Sequence, residues 1–182
     1  DSTKRAFEVC GYNEFSRRTG IPVYDTKGDE TAAMTAGGIT MEISKRALAL
    51  DYLINVPVLK GHCQTMVTGA LKNLKGCISD REKRHFHTLG LHKPIAYLSK
   101  LLRTSFTVVD GICGDLDFEE GGNPVRMNRM ICGDDAVLVD SYIASCMGYA
   151  PEEIEYIRLA AQIGVGSCDL ENAKINELNR DE

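Results

Sequence analysis

The sequence predicts an α/β layered domain with a mainly parallel sheet and helices on its faces. Strand-like apolar segments alternate with segments of helical spacing along most of the chain, and no internal repeat or long low-complexity linker interrupts them. The length of 182 residues, with 43% hydrophobic and 26% charged residues, suits one domain with a substantial buried core. We therefore expect residues 1–182 to form a single α/β domain.

Six helices and five strands are predicted. Helical spacing covers residues 5–19, a short segment capped by Ser44, and residues 66–74, 92–102, 136–147 and 151–164. Apolar or alternating segments predict strands at residues 21–25, 38–43, 52–56, 107–111 and 129–133. In open α/β sheets a ligand lies outside the carboxyl ends of the strands, so the loops that follow residues 56 and 109 are the expected site.

Several features bear on where the protein works. The chain begins at Asp1 without a methionine, which is typical of a processed or excised piece of a longer protein. Its longest apolar runs are far shorter than a membrane span, and no secretory signal pattern opens it. Seven scattered cysteines form no CxxC pair, which argues against a disulfide scaffold, a zinc ribbon and an iron-sulfur cluster motif in this chain. We expect a cytoplasmic protein with no membrane span.

Basic residues are concentrated in the middle of the chain. Residues 58–103 contain nine Lys and Arg against two acids, together with all four histidines, whereas residues 115–182 contain fifteen acids against five bases. Within a net charge of -5, this asymmetry favours an anion-binding face. Pairing of the two segments inside the fold is the alternative. Nucleic acid is disfavoured, because the basic window offers only Phe86 and Tyr97 for base stacking.

Residues 55–76, NVPVLKGHCQTMVTGALKNLKG, form the strongest candidate site in the sequence. A predicted strand is followed by a loop with Lys60 and His62, and then by a helix that carries Lys72 and Lys75 opposite its apolar side. Neighbouring lysines provide point charges for a phosphate or a carboxylate. A polar loop with surface lysines is the alternative interpretation.

The same stretch has the small and hydroxyl-bearing residues that suit an anion site. Gly61 and Gly69 would let a ligand approach the backbone, and Thr65 and Thr68 offer hydroxyl groups. We expect the amino end of the following helix to present free N–H groups to the anion. No GxxxxGKS, GxxxxGKT or GxGxxG sequence is present, so the stretch is neither a Walker motif nor a dinucleotide-binding motif.

The histidines are concentrated in residues 81–93, REKRHFHTLGLHK. His85, His87 and His92, together with His62, have the chemistry to ligate a metal or to transfer protons near neutral pH. His85 and His87 share a face only if this segment is extended, because on a helix they diverge. Surface or hydrogen-bonding roles are the alternative.

An ordered series of motifs runs from about residue 51 to residue 166. They are DYLINVPVLKGHCQTMVTGALKNLKG, DREKRHFH, GLHKPIAYL, FTVVDGICG, GGNP and CGDDAVLVDSYIASCMGYAPEEI. Together they resemble the domain of unknown function 362 family. Members of that family are widespread in bacteria and archaea, often carry a ferredoxin-like iron-sulfur module, and lack a settled activity.

The resemblance extends to individual polar residues. The matching positions are Lys60, His62, Thr65, Lys72, Asn73, Lys75, Arg84, His87, His92, Asp110, Gly111, Asn123, Pro124, Asp134, Asp135 and Asp140. Gly61 stands where relatives usually have threonine. Asp134 or Asp135 is a candidate cap for the next helix, and Asp140 would need a basic or N–H partner inside that apolar helix.

A fainter likeness concerns the order of His62, Lys72 and His87. This order is similar to that of the nickel-pincer lactate racemases. The likeness implies an acid-base group at His62, a cofactor anchor at Lys72 and a metal ligand at His87. This chain departs from that family in having lysines and asparagine where the racemases have more glycines.

The candidate residues fall into three groups. Catalytic candidates are Lys60, His62 and Asp110; cofactor-binding candidates are Thr65, Lys72, Asn73 and Lys75; metal-binding candidates are His87 and His92. The cofactor itself is undefined, with nickel, iron and zinc as the candidate ions.

Two functions from different classes follow. The first is an enzyme or redox-associated domain that binds a small anionic ligand or cofactor, with or without a metal, in this Lys/His-rich pocket. The second is a non-catalytic docking module for an acidic partner or an iron-sulfur electron-transfer partner such as a ferredoxin-like subunit. A pocket would gather these side chains in one concave site, whereas a docking face would spread them over a flat surface.

Overall fold

The computed structural model describes residues 2–115 and 122–178 of the chain. This part contains seven strands: β1 (Thr31–Ala36), β2 (Ile39–Ser44), β3 (Ile54–Asn55), β4 (Val58–His62), β5 (Met66–Thr68), β6 (Phe106–Asp115) and β7 (Pro124–Gly133). It also contains eight α-helices: α1 (Ser2–Val9), α2 (Tyr12–Thr19), α3 (Lys45–Leu48), α4 (Ala70–Asn73), α5 (Asp80–Leu89), α6 (His92–Leu101), α7 (Ala136–Cys146) and α8 (Glu155–Gln162). The mixed α/β class is confirmed.

Five strands form the main sheet. β3 and β4 pair in parallel with β6, β5 pairs antiparallel with β4, and β7 pairs antiparallel with β6. Because β7 occupies one edge of β6 from Thr107 to Asp115, β3 and β4 share the opposite edge as one strand interrupted at Val56 and Pro57. β1 and β2 form a separate antiparallel hairpin.

The core lies on one face of the main sheet. Along β3 and β4, Asn55, Pro57 and Leu59 are buried, whereas Ile54, Val56 and Val58 are exposed. This alternation follows from the two-residue period of an extended chain. Helices α4, α6, α7 and α8 belong to the same core, to which they contribute among others Leu71, Ile95, Leu98, Ile143 and Ile157.

Several predicted helices are confirmed. The predictions at residues 92–102 and 136–147 correspond to α6 and α7, and the one at residues 151–164 corresponds to a 3₁₀ turn, Pro151–Glu153, followed by α8. Ser44 caps α3 as expected, because its hydroxyl oxygen accepts a hydrogen bond from the Ala47 N–H at 3.2 Å. The strand at residues 38–43 is β2, and Gly20 ends α2 with its N–H bonded to the Ser16 carbonyl oxygen.

Other predictions near the amino end are wrong. The helix predicted at residues 5–19 is divided into α1 and α2 at Gly11, whose φ of +75° cannot continue a right-handed helix. Residues 21–25 form no strand, because the backbone of this segment pairs with no strand of the described chain. The apolar side chains of Ile21 and Tyr24 are also largely exposed. The hairpin strand β1 was not predicted, since its alanines and threonines carry a weak apolar signal.

The helix predicted at residues 66–74 begins later than expected. Met66–Thr68 is strand β5, which pairs with β4, and only α4 and the 3₁₀ turn Leu74–Cys77 are helical. Met66 has a φ of +63°, an unusual value for a non-glycine residue, and it stands at the start of β5 where the chain reverses. Tertiary pairing with β4 therefore outweighs the helical spacing of these three residues.

Two further features concern membrane-spanning helices and the cysteine thiols. No helix in residues 2–115 and 122–178 is long and apolar enough to cross a membrane. All seven cysteines are unpaired thiols, of which Cys10, Cys63, Cys113 and Cys132 are exposed. Burial raises the pKa of the Cys77 thiol, which therefore stays protonated near neutral pH.

A candidate anion-binding cleft beside strand β4

A cleft of about 510 Å³ lies beside β4, at the end of β5 and along the segment from α4 to α5. We call it the lysine cleft, because among residues 2–115 and 122–178 four lining residues are lysines and none is acidic. Its polar lining residues are Lys60, Thr68, Lys72, Asn73, Lys75 and Lys83. Its volume falls in the range of small-molecule sites. The structure thus brings together four of the candidate residues, Lys60, Lys72, Asn73 and Lys75.

The base of the lysine cleft is formed by Lys60, Thr68 and Lys72. Lys60 and Thr68 are paired residues in the β4–β5 ladder, so their side chains lie on the same face. The Lys72 ammonium donates a hydrogen bond to the Thr68 hydroxyl at 3.0 Å, and only 7% of Lys72 is exposed. Because water is scarce around this ammonium, an anion that enters the cleft would interact with it more strongly than with a surface lysine.

Hydrogen bonds between side chains fix α4 against the sheet. The buried Asn55 side chain donates to the Ala70 carbonyl at 2.8 Å, and it accepts from the Asn73 amide at 2.7 Å. The Gly76 carbonyl accepts a hydrogen bond from the Thr26 hydroxyl, which ties the following 3₁₀ turn to the amino-terminal segment. These contacts hold the backbone that carries Lys72, Asn73 and Lys75 in a defined position.

The rim of the lysine cleft carries Lys75 and Lys83, both half-buried. Lys83 lies one turn into α5 and pairs with Asp80 at 2.9 Å. The hydrogen bond and the charge of Lys83 lower the pKa of Asp80, which stays ionised near neutral pH. The Lys83 charge is thus partly neutralised by Asp80.

The start of α4 is occupied by a carboxylate of the protein itself. Asp140, on α7, accepts the Ala70 N–H at 2.6 Å and the Leu71 N–H at 3.1 Å. The prediction that this helix start offers free N–H groups to a ligand is therefore wrong. Burial raises the pKa of Asp140 to about 7, against the opposing effect of these two N–H groups and of Tyr156. Asp140 thus has the N–H partners that its position in an apolar helix required.

His62 and Thr65 shape the turn between β4 and β5. The prediction that Lys60 and His62 lie in a loop is wrong, since both belong to β4. The His62 Nδ1 atom accepts the N–H groups of Gln64 and Thr65, both at 3.1 Å, so a neutral ring carries its proton on Nε2. The Thr65 hydroxyl donates to the Val67 carbonyl at 3.1 Å. Neither His62 nor Thr65 lines the lysine cleft.

Asp110 lies within β6 and does not follow a strand end as predicted. β6 continues to Asp115 and is paired along its length with β7, so no helix follows Asp110. Its carboxylate accepts the Ile112 N–H at 3.0 Å. Asp110 is the ladder neighbour of Val58, which does line the lysine cleft, but Asp110 itself does not.

The histidines of residues 81–93 point in different directions. His85 and His87 diverge on helix α5, where His85 bonds to Glu82 at 2.8 Å and His87 is exposed. His92 begins α6, where it stacks on Tyr156 with ring centroids 6.3 Å apart. The described residues contain no group of three or more His, Cys, Asp and Glu arranged to hold a metal ion. A metal at His87 and His92 stays a prediction.

Asp135 and not Asp134 caps α7. The Asp135 carboxylate accepts the N–H groups of Val137 at 2.8 Å and Leu138 at 3.0 Å, and its second oxygen accepts the Ser167 N–H at 2.8 Å. Asp134 is exposed. Asp135 therefore joins the start of α7 to the segment that follows α8.

Five lining residues were not among the catalytic, cofactor-binding and metal-binding candidates, namely Val56, Val58, Thr68, Gly76 and Lys83. Lys83 lies outside the stretch that was singled out, and only the packing of α5 brings it to the cleft. Val56 and Val58 form an apolar wall, which the alternation of apolar and other residues from Ile54 to Lys60 could have indicated. The spacing of residues in the sequence does not show which face of a strand lines a binding site.

Comparison with known proteins adds a family and a curated relative. The family model described as "Domain of unknown function (DUF362)" matches residues 1–145. Thylakoid-associated protein sll1697 of Synechocystis sp. is 23% identical over 175 residues, which cover 90% of this chain and 53% of that protein. The chain thus spans about half the length of this curated relative. No solved structure matches the chain.

Proposed function

Since the chain belongs to the DUF362 family, whose description assigns no activity, we propose from its site that it binds a small phosphate- or carboxylate-bearing anion in the lysine cleft. The observation that carries this proposal is the convergence of four lysines, a threonine hydroxyl and an asparagine amide on one cleft, whose lining in the described part of the chain includes no acid. Lysines act as point charges for such anions.

Electrostatics supports the proposal. Four ammonium groups around one cleft create a positive potential that would attract an anion. The burial of Lys72 increases this effect, because a poorly hydrated charge is screened less by water. The hydroxyl of Thr68 and the amide of Asn73 would add hydrogen bonds that orient the ligand.

The alternative function is a non-catalytic docking module for an acidic partner. That function predicts basic side chains spread over a flat surface. The four lysines instead share one open cleft with a threonine and an asparagine, and this clustering supports a small ligand. A ferredoxin-like partner, an enzymatic step and a bound metal ion remain predictions from the sequence, and metal content per chain would test the last of these.

We also propose a cytoplasmic location for the protein. Seven unpaired thiols, four of them exposed, suit the reducing conditions of a cytoplasm. The name of the Synechocystis protein states an association with thylakoids, so the thylakoid membrane is the second location to test. Fractionation of cells into soluble and membrane fractions, followed by immunoblotting, would distinguish the two.

Calorimetric titration tests the proposed function. Inorganic phosphate and pyrophosphate should bind the wild-type chain at low ionic strength, and Lys72→Gln and Lys75→Gln should each weaken binding about tenfold, because one charge-assisted contact is lost. Lys174→Gln, which removes an exposed lysine of the carboxy-terminal segment, is the matched control and should bind as the wild type does. Equal binding by Lys72→Gln and the wild type, or no binding by the wild type at millimolar concentrations, would contradict the proposal.

A further inference from the structure

One wall of the lysine cleft is apolar. Val56 and Val58 line it and are 62% and 43% exposed, and Ile54, 56% exposed, extends the same strand face beyond the cleft. Single exposed apolar residues are common in proteins, but these three lie at alternate positions from β3 through the interruption to β4 and form a continuous apolar strip beside a cluster of lysines. The sheet face that carries this strip is the one that the core helices leave uncovered.

The size of the lysine cleft exceeds that of a bare anion. Sites of about 300–1,000 Å³ hold drug-sized molecules, and the volume of about 510 Å³ lies inside this range. An inorganic phosphate, with only five non-hydrogen atoms, would contact the lysines and leave the valine wall unoccupied. A ligand that fills the cleft needs a second, uncharged part.

The charge of the lysine cleft favours a phosphate over a carboxylate. Lys60, Lys72, Lys75 and Lys83 line the cleft together. A phosphate monoester carries nearly two negative charges at neutral pH and three acceptor oxygens, so it can contact several ammonium groups at once. A carboxylate carries one charge and has two oxygens.

From these observations, and resting on the proposed function, we infer that the natural ligand is an organic phosphate whose apolar group packs on Val56 and Val58 while its phosphate lies among the lysines. The apolar strip and the lysines then bind two ends of one molecule. Burial of the apolar group removes its surface and that of the valines from water, which adds affinity that inorganic phosphate lacks.

The inference is tested by titrating the chain with inorganic phosphate, phenyl phosphate and benzoate. Phenyl phosphate should bind about tenfold more tightly than inorganic phosphate, because its ring buries apolar surface on the valine wall. The double variant Val56→Thr and Val58→Thr keeps the branched shape and should remove this advantage without weakening inorganic phosphate. Ile112→Thr, which changes an exposed branched residue of β6 outside the lysine cleft, is the control and should keep the advantage.

The outcomes separate this inference from the proposed function. Equal affinity for phenyl phosphate and inorganic phosphate would overturn the inference and leave anion binding in place. Tighter binding of benzoate than of phenyl phosphate would overturn the choice of phosphate. Failure of all three compounds to bind would overturn the proposed function and the inference together. An advantage for phenyl phosphate that persists in the double valine variant would also overturn the inference, because the ring would then lie elsewhere.

Discussion

The fold strongly alters the protonation of Asp140. Its carboxylate is fully buried on α7 and is held by two N–H groups of α4 and by Tyr156. Burial raises its pKa from 3.8 to about 7, so the folded state binds this proton more tightly than the unfolded state does. Stability from this group is therefore present at low pH and is lost as the pH rises from about 4 to about 7.

We predict that Asp140→Asn removes this pH dependence. Between pH 5 and 7 the free energy of unfolding of the wild type should fall relative to that of the variant by up to about 1.4 kcal/mol per pH unit. The asparagine amide also places an NH₂ group against one backbone N–H, which adds a cost that does not vary with pH. Urea unfolding at pH 5, 6, 7 and 8 measures the difference. Parallel pH profiles of the two proteins would refute the assignment.

Gly69 is required by the close approach of α7 to the start of α4. A Cβ atom at this position would collide with the Asp140 carboxylate and with the end of the Ile143 side chain. We predict that Gly69→Ala lowers the free energy of unfolding by about 2–4 kcal/mol, because both neighbours are buried and cannot move freely. Gly28→Ala is the control, since a Cβ atom there meets no atom within 4 Å. Similar stability of the two variants would contradict this explanation.

At the scale of elements, the cap of α7 connects two parts of the chain. Asp135→Ala removes the acceptor of three N–H groups, two in the first turn of α7 and one at Ser167. We predict a loss of about 1–2 kcal/mol in the free energy of unfolding, as for other helix caps. The exposed neighbour Asp134 provides the comparison, because Asp134→Ala should change stability little. Chemical denaturation of both variants measures the effect, and equal losses would argue against the cap.

The elements that the sequence predicted well are those with strong local signals. Helices α6 and α7 have regular apolar spacing, and α3 has a serine cap, so their sequences specify them without reference to the rest of the fold. The elements that it missed depend on tertiary pairing. β5 forms because its three residues complete a ladder with β4, and β6 extends past Asp110 because β7 pairs with it.

At the scale of the whole molecule, the candidate site was predictable only in part. Lys60, Lys72, Asn73 and Lys75 are close in sequence, and the β4–β5 hairpin followed by α4 brings them together. The positions of His62, Thr65 and Asp110 depend on where strands β4 and β6 end. Both strands end later than predicted, because β4 pairs with β5 and β6 pairs with β7. The position of Lys83 at the cleft depends on how helix α5 packs, and the local sequence does not indicate that packing.

The most direct test of the central claim is a crystal structure of the chain soaked in tungstate, a tetrahedral oxyanion whose metal gives a strong anomalous signal. We predict an anomalous peak inside the lysine cleft, within hydrogen-bond reach of Lys72 Nζ and of at least one of Lys60 and Lys75, and its loss in Lys72→Gln crystals. Peaks confined to other surfaces, with the cleft accessible in the lattice and devoid of signal, would contradict the account.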